Sequence, residues 1–100
     1  MIMAYIPCKN RREAESISKA LLSKKLIACA NIFPARSFYW WNGKIDSSYE
    51  AAIIAKSFGN KQKAIIEHVE KIHSYDIPCI EFIKSSANKK YEDWARKEIK

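Results

Sequence analysis

One hundred residues with a net charge of +7, 48% apolar and 29% charged, fit a single soluble domain over 1–100 that can bury a core without disulfide staples. No apolar run approaches the ~20 residues of a membrane-spanning helix. The basic residues are interleaved with acids, as in KKYEDWARKEIK. That is the pattern of a solvated helix face, so nucleic acid is not an expected partner.

The opening MIMAYIP has no basic stretch before it and reads as a first strand over 1–7 rather than an export signal. The expected compartment is therefore the cytoplasm. The three cysteines Cys8, Cys29 and Cys79 are widely spaced with no C-x-x-C pair, which suits free thiols in a reducing compartment. Asn10 with Glu13 three residues on is a variant capping box. Ala14, Ile17, Leu21 and Leu22 then follow at helical spacing, and Lys24 and Lys25 close a helix over 11–25.

Residues 28–41 read as a strand in which Pro34 demands an edge position or a bulge. Asn42-Gly43 is a strong hairpin signal, because a type I′ turn needs positive φ at both central positions. Residues 44–57 return as the next strand. Gly59-Asn60 opens a second helix, with Ala64, Ile65, Val69 and Ile72 at helical spacing up to His73. Pro78 stops it and pushes Ile77 to an extended conformation. Residues 78–84 read as a fourth strand. Tyr91, Trp94, Ala95 and Ile99 pattern a last helix over 88–99, with Asn88 as its cap.

The order β-α-β-β-α-β plus a helix predicts an α+β fold, a ferredoxin-like βαββαβ sandwich with an extended central hairpin and a C-terminal helix. Strands of about 14 residues would span roughly 45 Å at ~3.3 Å per residue, against a radius of gyration of ~13 Å for a domain this size. The hairpin should overhang its own domain. Its tip carries Phe38, Tyr39, Trp40 and Trp41. Adjacent tryptophans on a strand face opposite ways, so one covering layer cannot bury both. A homo-oligomer follows, unless a bulge at Pro34 folds the arm back.

The stretches LLSKKLIACANI, RSFYWWNGKI, HSYDIP and YEDW, with Glu50 and Lys56, resemble the CutA-type divalent-cation tolerance family over nearly the whole chain. The resemblance implies a homotrimer with a ferredoxin-like subunit, like that of the PII signalling proteins, and a link to copper and other divalent cations, with no organic cofactor. It implies His73, Cys8 and Asp76 as metal ligands. Trp41, Glu50, Lys56, Tyr75 and Trp94 would line a cleft between subunits. Where the family commonly reads H-P-Y-E-V-P-E, this chain has Ser74, Asp76 and Cys79 in place of the first proline and the two glutamates. A sulfur at Cys79 would favour softer ions. Pro7 replaces a common threonine.

Each candidate also has a plainer role. His73 can cap the helix that it ends. Asp76 can close an Asx-type turn before Pro78, and Tyr75 can pack with its hydroxyl at a cleft. Cys79 and Cys29 read as small buried hydrophobes. Cys8 precedes a helix start, which favours the thiolate that binds metals. Glu50 and Lys56 share a face of the third strand, either as cleft residues or as exposed charges. The rival to a metal role is a PII-like signalling or scaffold trimer that uses Lys56 to hold an anionic effector. Catalysis is not expected: IPCKNRR lacks a glycine-supported phosphate loop, and no nucleophile–base pair is visible.

Overall fold

The computed structural model describes residues 1–99. Its elements are β1 (Ile2–Cys8), α1 (Arg11–Ser23), β2 (Cys29–Trp41), β3 (Lys44–Ser57), a 3₁₀ turn (Gly59–Lys61) that leads into α2 (Gln62–Ile72), β4 (Glu81–Lys84) and α3 (Lys89–Glu98). The strands form one antiparallel sheet in the order β2-β3-β1-β4. This is the α+β ferredoxin-like arrangement that the sequence predicts.

Strand alternation divides the sheet. Ile2, Ala4, Ile6 and Cys8 of β1 face the helices with Ala51, Ile53 and Ala55 of β3. Of these, Ala4, Ile6 and Cys8 and the three β3 residues pack in one buried cluster with Ala14, Ile17 and Leu21 of α1 and Ile65 and Val69 of α2. A second cluster joins Ala95 and Ile99 to Ala28 and Phe58, which seats α3 at the end of the sheet away from the hairpin. Each fully buried Ile or Val contributes roughly 1.5–3 kcal/mol.

The start of α1 is capped as the sequence indicates. Asn10 Oδ1 accepts from Glu13 N–H at 2.9 Å, and Glu13 Oε1 accepts from Lys9 N–H at 3.0 Å. The end of α1 departs from expectation: the helix stops at Ser23. Lys25 sits at φ +59°, with its N–H bonded to Leu22 O and the Leu26 N–H to Leu21 O. That pair of bonds is a Schellman motif with lysine in the left-handed position that glycine usually takes. At α3, Asn88 holds the cap position but makes no side-chain bond there. Glu92 instead accepts from Ala87 N–H at 3.2 Å.

β4 is shorter than predicted, and Cys79 lies outside it. Its register with β1 ends at Tyr5↔Glu81. Extended by two residues, it would set Cys79 beside Pro7. Neither Pro7 nor Pro78 has an N–H to give, so the ladder stops. Cys79 is consequently exposed, and Cys29 is half-buried, not core.

Pro34 takes the edge option. β2 is an outer strand and pairs with β3 without a bulge from Cys29↔Lys56 to Trp41↔Lys44. Asn42 and Gly43 both have positive φ, 52° and 75°. The hairpin does overhang: the molecule measures 45 × 25 × 22 Å, with a radius of gyration of 14.0 Å. Burial on β3 begins only at Ala51. Beyond it Trp40 is 73% exposed and Trp41 45%, on opposite faces of the arm.

Candidate functional site

The site is built where the end of β1, the start of α1 and the α2–β4 loop meet. Cys8 is the last residue of β1 and fully buried. Glu13 lies in the first turn of α1. His73 is the C-cap of α2. One ligand atom from each falls within 4.8 Å of the others. Glu13 is the member that the sequence reading misses as a ligand. Its signal was its place in the capping box five residues after Cys8, but nothing in the sequence links it to His73.

Every donor in this group has a protein partner. His73 Nε2 lies 2.9 Å from Pro7 O, and His73 Nδ1 lies 3.1 Å from Tyr75 N. A carbonyl only accepts and an amide N–H only donates, so Nε2 carries the proton and Nδ1 accepts. Glu13 Oε2 accepts from Ser74 N–H at 2.8 Å, while Oε1 holds Lys9. Burial works to raise the Glu13 pKa, but the hydrogen bonds from Lys9 and Ser74 and the nearby His73 outweigh it and bring it below the ordinary value.

Cys8 corrects the expectation of a thiolate. Burial, then the charges of Glu13 and Glu50, push its pKa up to about 12. The thiol stays protonated and points to Ile6 O at 3.6 Å. The start of α1 is a weaker influence here than desolvation and two carboxylates.

The loop reaches outward from this group to an open cleft of about 770 Å³. Tyr75 donates its hydroxyl to Glu50 Oε2 at 2.6 Å. Burial, then that bond and the Glu50 charge, raise the tyrosine's pKa, so it remains a donor. Trp41, Glu50, Tyr75, Asp76 and Cys79 line this cleft. Asp76 is exposed and stands outside the Cys8–Glu13–His73 group. Cys79 lies 3.5 Å from Glu81 Oε1, and its pKa is raised by desolvation and then by Glu81.

Lys56 and Trp94 are not brought to this cleft. Lys56 does share the Glu50 face of β3, but six residues of strand separate them, about 20 Å. Its ammonium donates to Asn31 Oδ1 at 2.9 Å and lies 5.9 Å from the Tyr91 ring. Trp94 packs on Tyr91, with centroids 5.4 Å apart.

Buried cysteine, helix-starting glutamate and helix-ending histidine thus converge beneath a projecting arm. A family model described as CutA1 divalent ion tolerance protein matches residues 2–98. This chain belongs to the CutA1 family. It is 45% identical over 91 residues to the divalent-cation tolerance protein CutA of Archaeoglobus fulgidus, covering 90% of this chain and 89% of that one. It is 38% identical over 100 residues to CutA of Thermotoga maritima, covering 99% of each. Among solved CutA structures, the periplasmic divalent cation tolerance protein of A. fulgidus superposes with a TM-score of 0.97 at 41% identity, over 100% of both chains. CutA1 of Pyrococcus horikoshii superposes at 0.95 with 36% identity, over 100% of this chain and 99% of that one.

Proposed function

We propose that this chain acts as a homotrimeric, single-domain metal-tolerance protein that takes a copper ion, or another divalent cation, close to its subunit clefts. The observation that carries this reading is the approach of Cys8, Glu13 and His73 to within 4.8 Å of one another. Thiol, imidazole and carboxylate together suit a soft or borderline cation. Asp76 is a further, outer ligand in this reading. The cation is cargo, and the protein binds it without catalysing a reaction.

Binding in this group has a defined cost. Cys8 must lose its proton, and an imidazole nitrogen must leave either Pro7 O or the Tyr75 N–H. Uptake therefore releases protons and weakens as the medium acidifies. The trimer is supported by the uncovered arm and by the long outer strand β2, an unpaired edge that invites a neighbour. Within one chain Lys56 and Trp94 stand apart from Trp41, Glu50 and Tyr75, so a shared cleft takes Lys56 and Trp94 from the next subunit. An effector role of the PII kind gains no support from Lys56, whose ammonium is turned to Asn31.

Three free thiols favour a reducing compartment, so the reading places the protein in the cytoplasm. A relative is described as periplasmic, and cell fractionation decides: recovery with exported proteins would contradict the assignment. The functional test is titration of the purified protein, sized by sedimentation, with Cu(I) and Cu(II). Cys8→Ser and His73→Ala should each weaken binding roughly tenfold or more. Binding that is unchanged in both variants, or a stable monomer, would overturn the reading.

A further inference from the structure

The metal reading leaves unused the end of the molecule opposite the arm. In sequence the basic residues alternate with acids, but the fold gathers them here. Segments 24–28, 57–63 and 84–98 meet at this end. Ser57 Oγ donates to Leu26 O at 2.6 Å, Ala28 N–H to Lys56 O at 2.8 Å and Ser85 N–H to Met1 O at 3.0 Å. The Arg96 guanidinium lies over the Phe58 ring at 4.3 Å, and Met1, Ala28, Phe58 and Ala95 share one apolar cluster. The three segments carry nine lysines and arginines against three acids, so six of the chain's net +7 charges gather at this pole. All nine but the half-buried Lys61 are exposed. Of the nine, only Lys89 has an ion-pair partner among the described residues, Asp93 at 2.6 Å.

We infer that this pole is a docking surface for the phosphate backbone of double-stranded nucleic acid, bound without regard to base sequence. What the pole holds and what it lacks select that partner. Eight of its nine cations are lysines, point charges on flexible stems that meet phosphates without reading bases. Among the described residues of these segments the only large exposed apolar side chain is Trp94, which the proposed subunit cleft takes. The pole therefore has nothing to sink into a bilayer, and a basic patch alone is one of the two signals that stable membrane anchoring takes. It equally lacks an aromatic platform for unpaired bases. A duplex needs neither, because it presents one negative charge per ~1.7 Å of its axis. The 25 × 22 Å cross-section of the molecule can face about six or seven base pairs at ~3.4 Å each.

The test uses the intact protein and follows the anisotropy of a fluorescently labelled DNA duplex of about 20 base pairs, in two unrelated sequences. Both should bind saturably and alike. Affinity should fall on the order of a hundredfold between about 50 and 200 mM salt, as roughly four phosphate contacts require. Lys61→Glu/Lys63→Glu and Lys90→Glu/Lys97→Glu should each weaken binding at least tenfold, with sedimentation unchanged from the parent. Arg11→Glu/Arg12→Glu makes the same change in net charge at the arm end of α1 and should bind within about twofold of the parent. Cys8→Ser should also bind as the parent does, which separates this surface from the metal group. Four results would overturn the inference: no saturable binding at low salt, pole variants no weaker than the Arg11/Arg12 variant, tighter binding of the single strand than of the duplex, or competition by phosphatidylserine vesicles as strong as by unlabelled duplex.

Discussion

The Tyr75 hydroxyl and the Glu50 carboxylate lie 2.6 Å apart, and that bond joins the α2–β4 loop to the base of the projecting arm. The same loop is held at its other end by Glu13, which accepts from Ser74 N–H, and by His73, which accepts from Tyr75 N–H. Consecutive residues of one short loop thus touch the candidate metal group and the open cleft. Tyr75→Phe removes only the hydroxyl. It should lower unfolding stability by about 1 kcal/mol at neutral pH, measured by urea titration. No loss would mean that solvent replaces the bond at no cost.

Glu13 serves both as cap and as clamp. Its folded pKa is lowered, so its contribution is fully present above its ordinary value of 4.5 and is lost as the pH falls through the folded value. Glu13→Gln keeps the shape and part of the hydrogen bonding. It should cost roughly 1 kcal/mol at pH 7 and flatten the stability profile below pH 4.5. Denaturant midpoints between pH 3 and pH 7 check this.

Cys8 is raised from 9.0 to about 12. A raised pKa gives stability that is fully present below pH 9 and lost as the pH rises toward the folded value. Cys8→Ala should abolish that alkaline loss. In the native protein an exposed-thiol reagent at pH 8 should label Cys79 and leave Cys8 untouched until the chain unfolds. Equal labelling rates for Cys8 and Cys79 would contradict the burial argument.

Lys25 offers a stabilising change. A non-glycine residue at φ +59° is disfavoured by roughly 1–2 kcal/mol because Cβ crowds the following carbonyl. Lys25→Gly should recover about 1 kcal/mol while keeping the bonds to Leu21 and Leu22. A rise in the thermal midpoint would confirm it.

Much of the fold was legible because local signals and hydrophobic period agreed. Asn10, Asn42-Gly43 and the spacing of Ala14, Ile17 and Leu21 each named an element that formed where expected. The overhang followed from strand length alone. What the sequence hid depends on tertiary neighbours. Cys8 looked activated because a helix start is visible in the chain, while Glu50 and burial are not. Glu13 and His73 are sixty positions apart, and only the return of α2 beside the start of α1 brings them together. Lys56 and Glu50 share a face as predicted, but about 20 Å of strand separates them within one chain, and the sequence does not show which subunit supplies each side of a cleft. Cys79 left β4 because Pro7, on the neighbouring strand, gives the ladder no donor there.

The central claim is that Cys8 and His73 hold the cation. Anomalous scattering from a crystal soaked in copper tests it most directly. The account predicts a peak within bonding distance of Cys8 Sγ and a ring nitrogen of His73, with the Tyr75 or Pro7 hydrogen bond broken. A peak found only elsewhere, with both of those bonds intact, would contradict it.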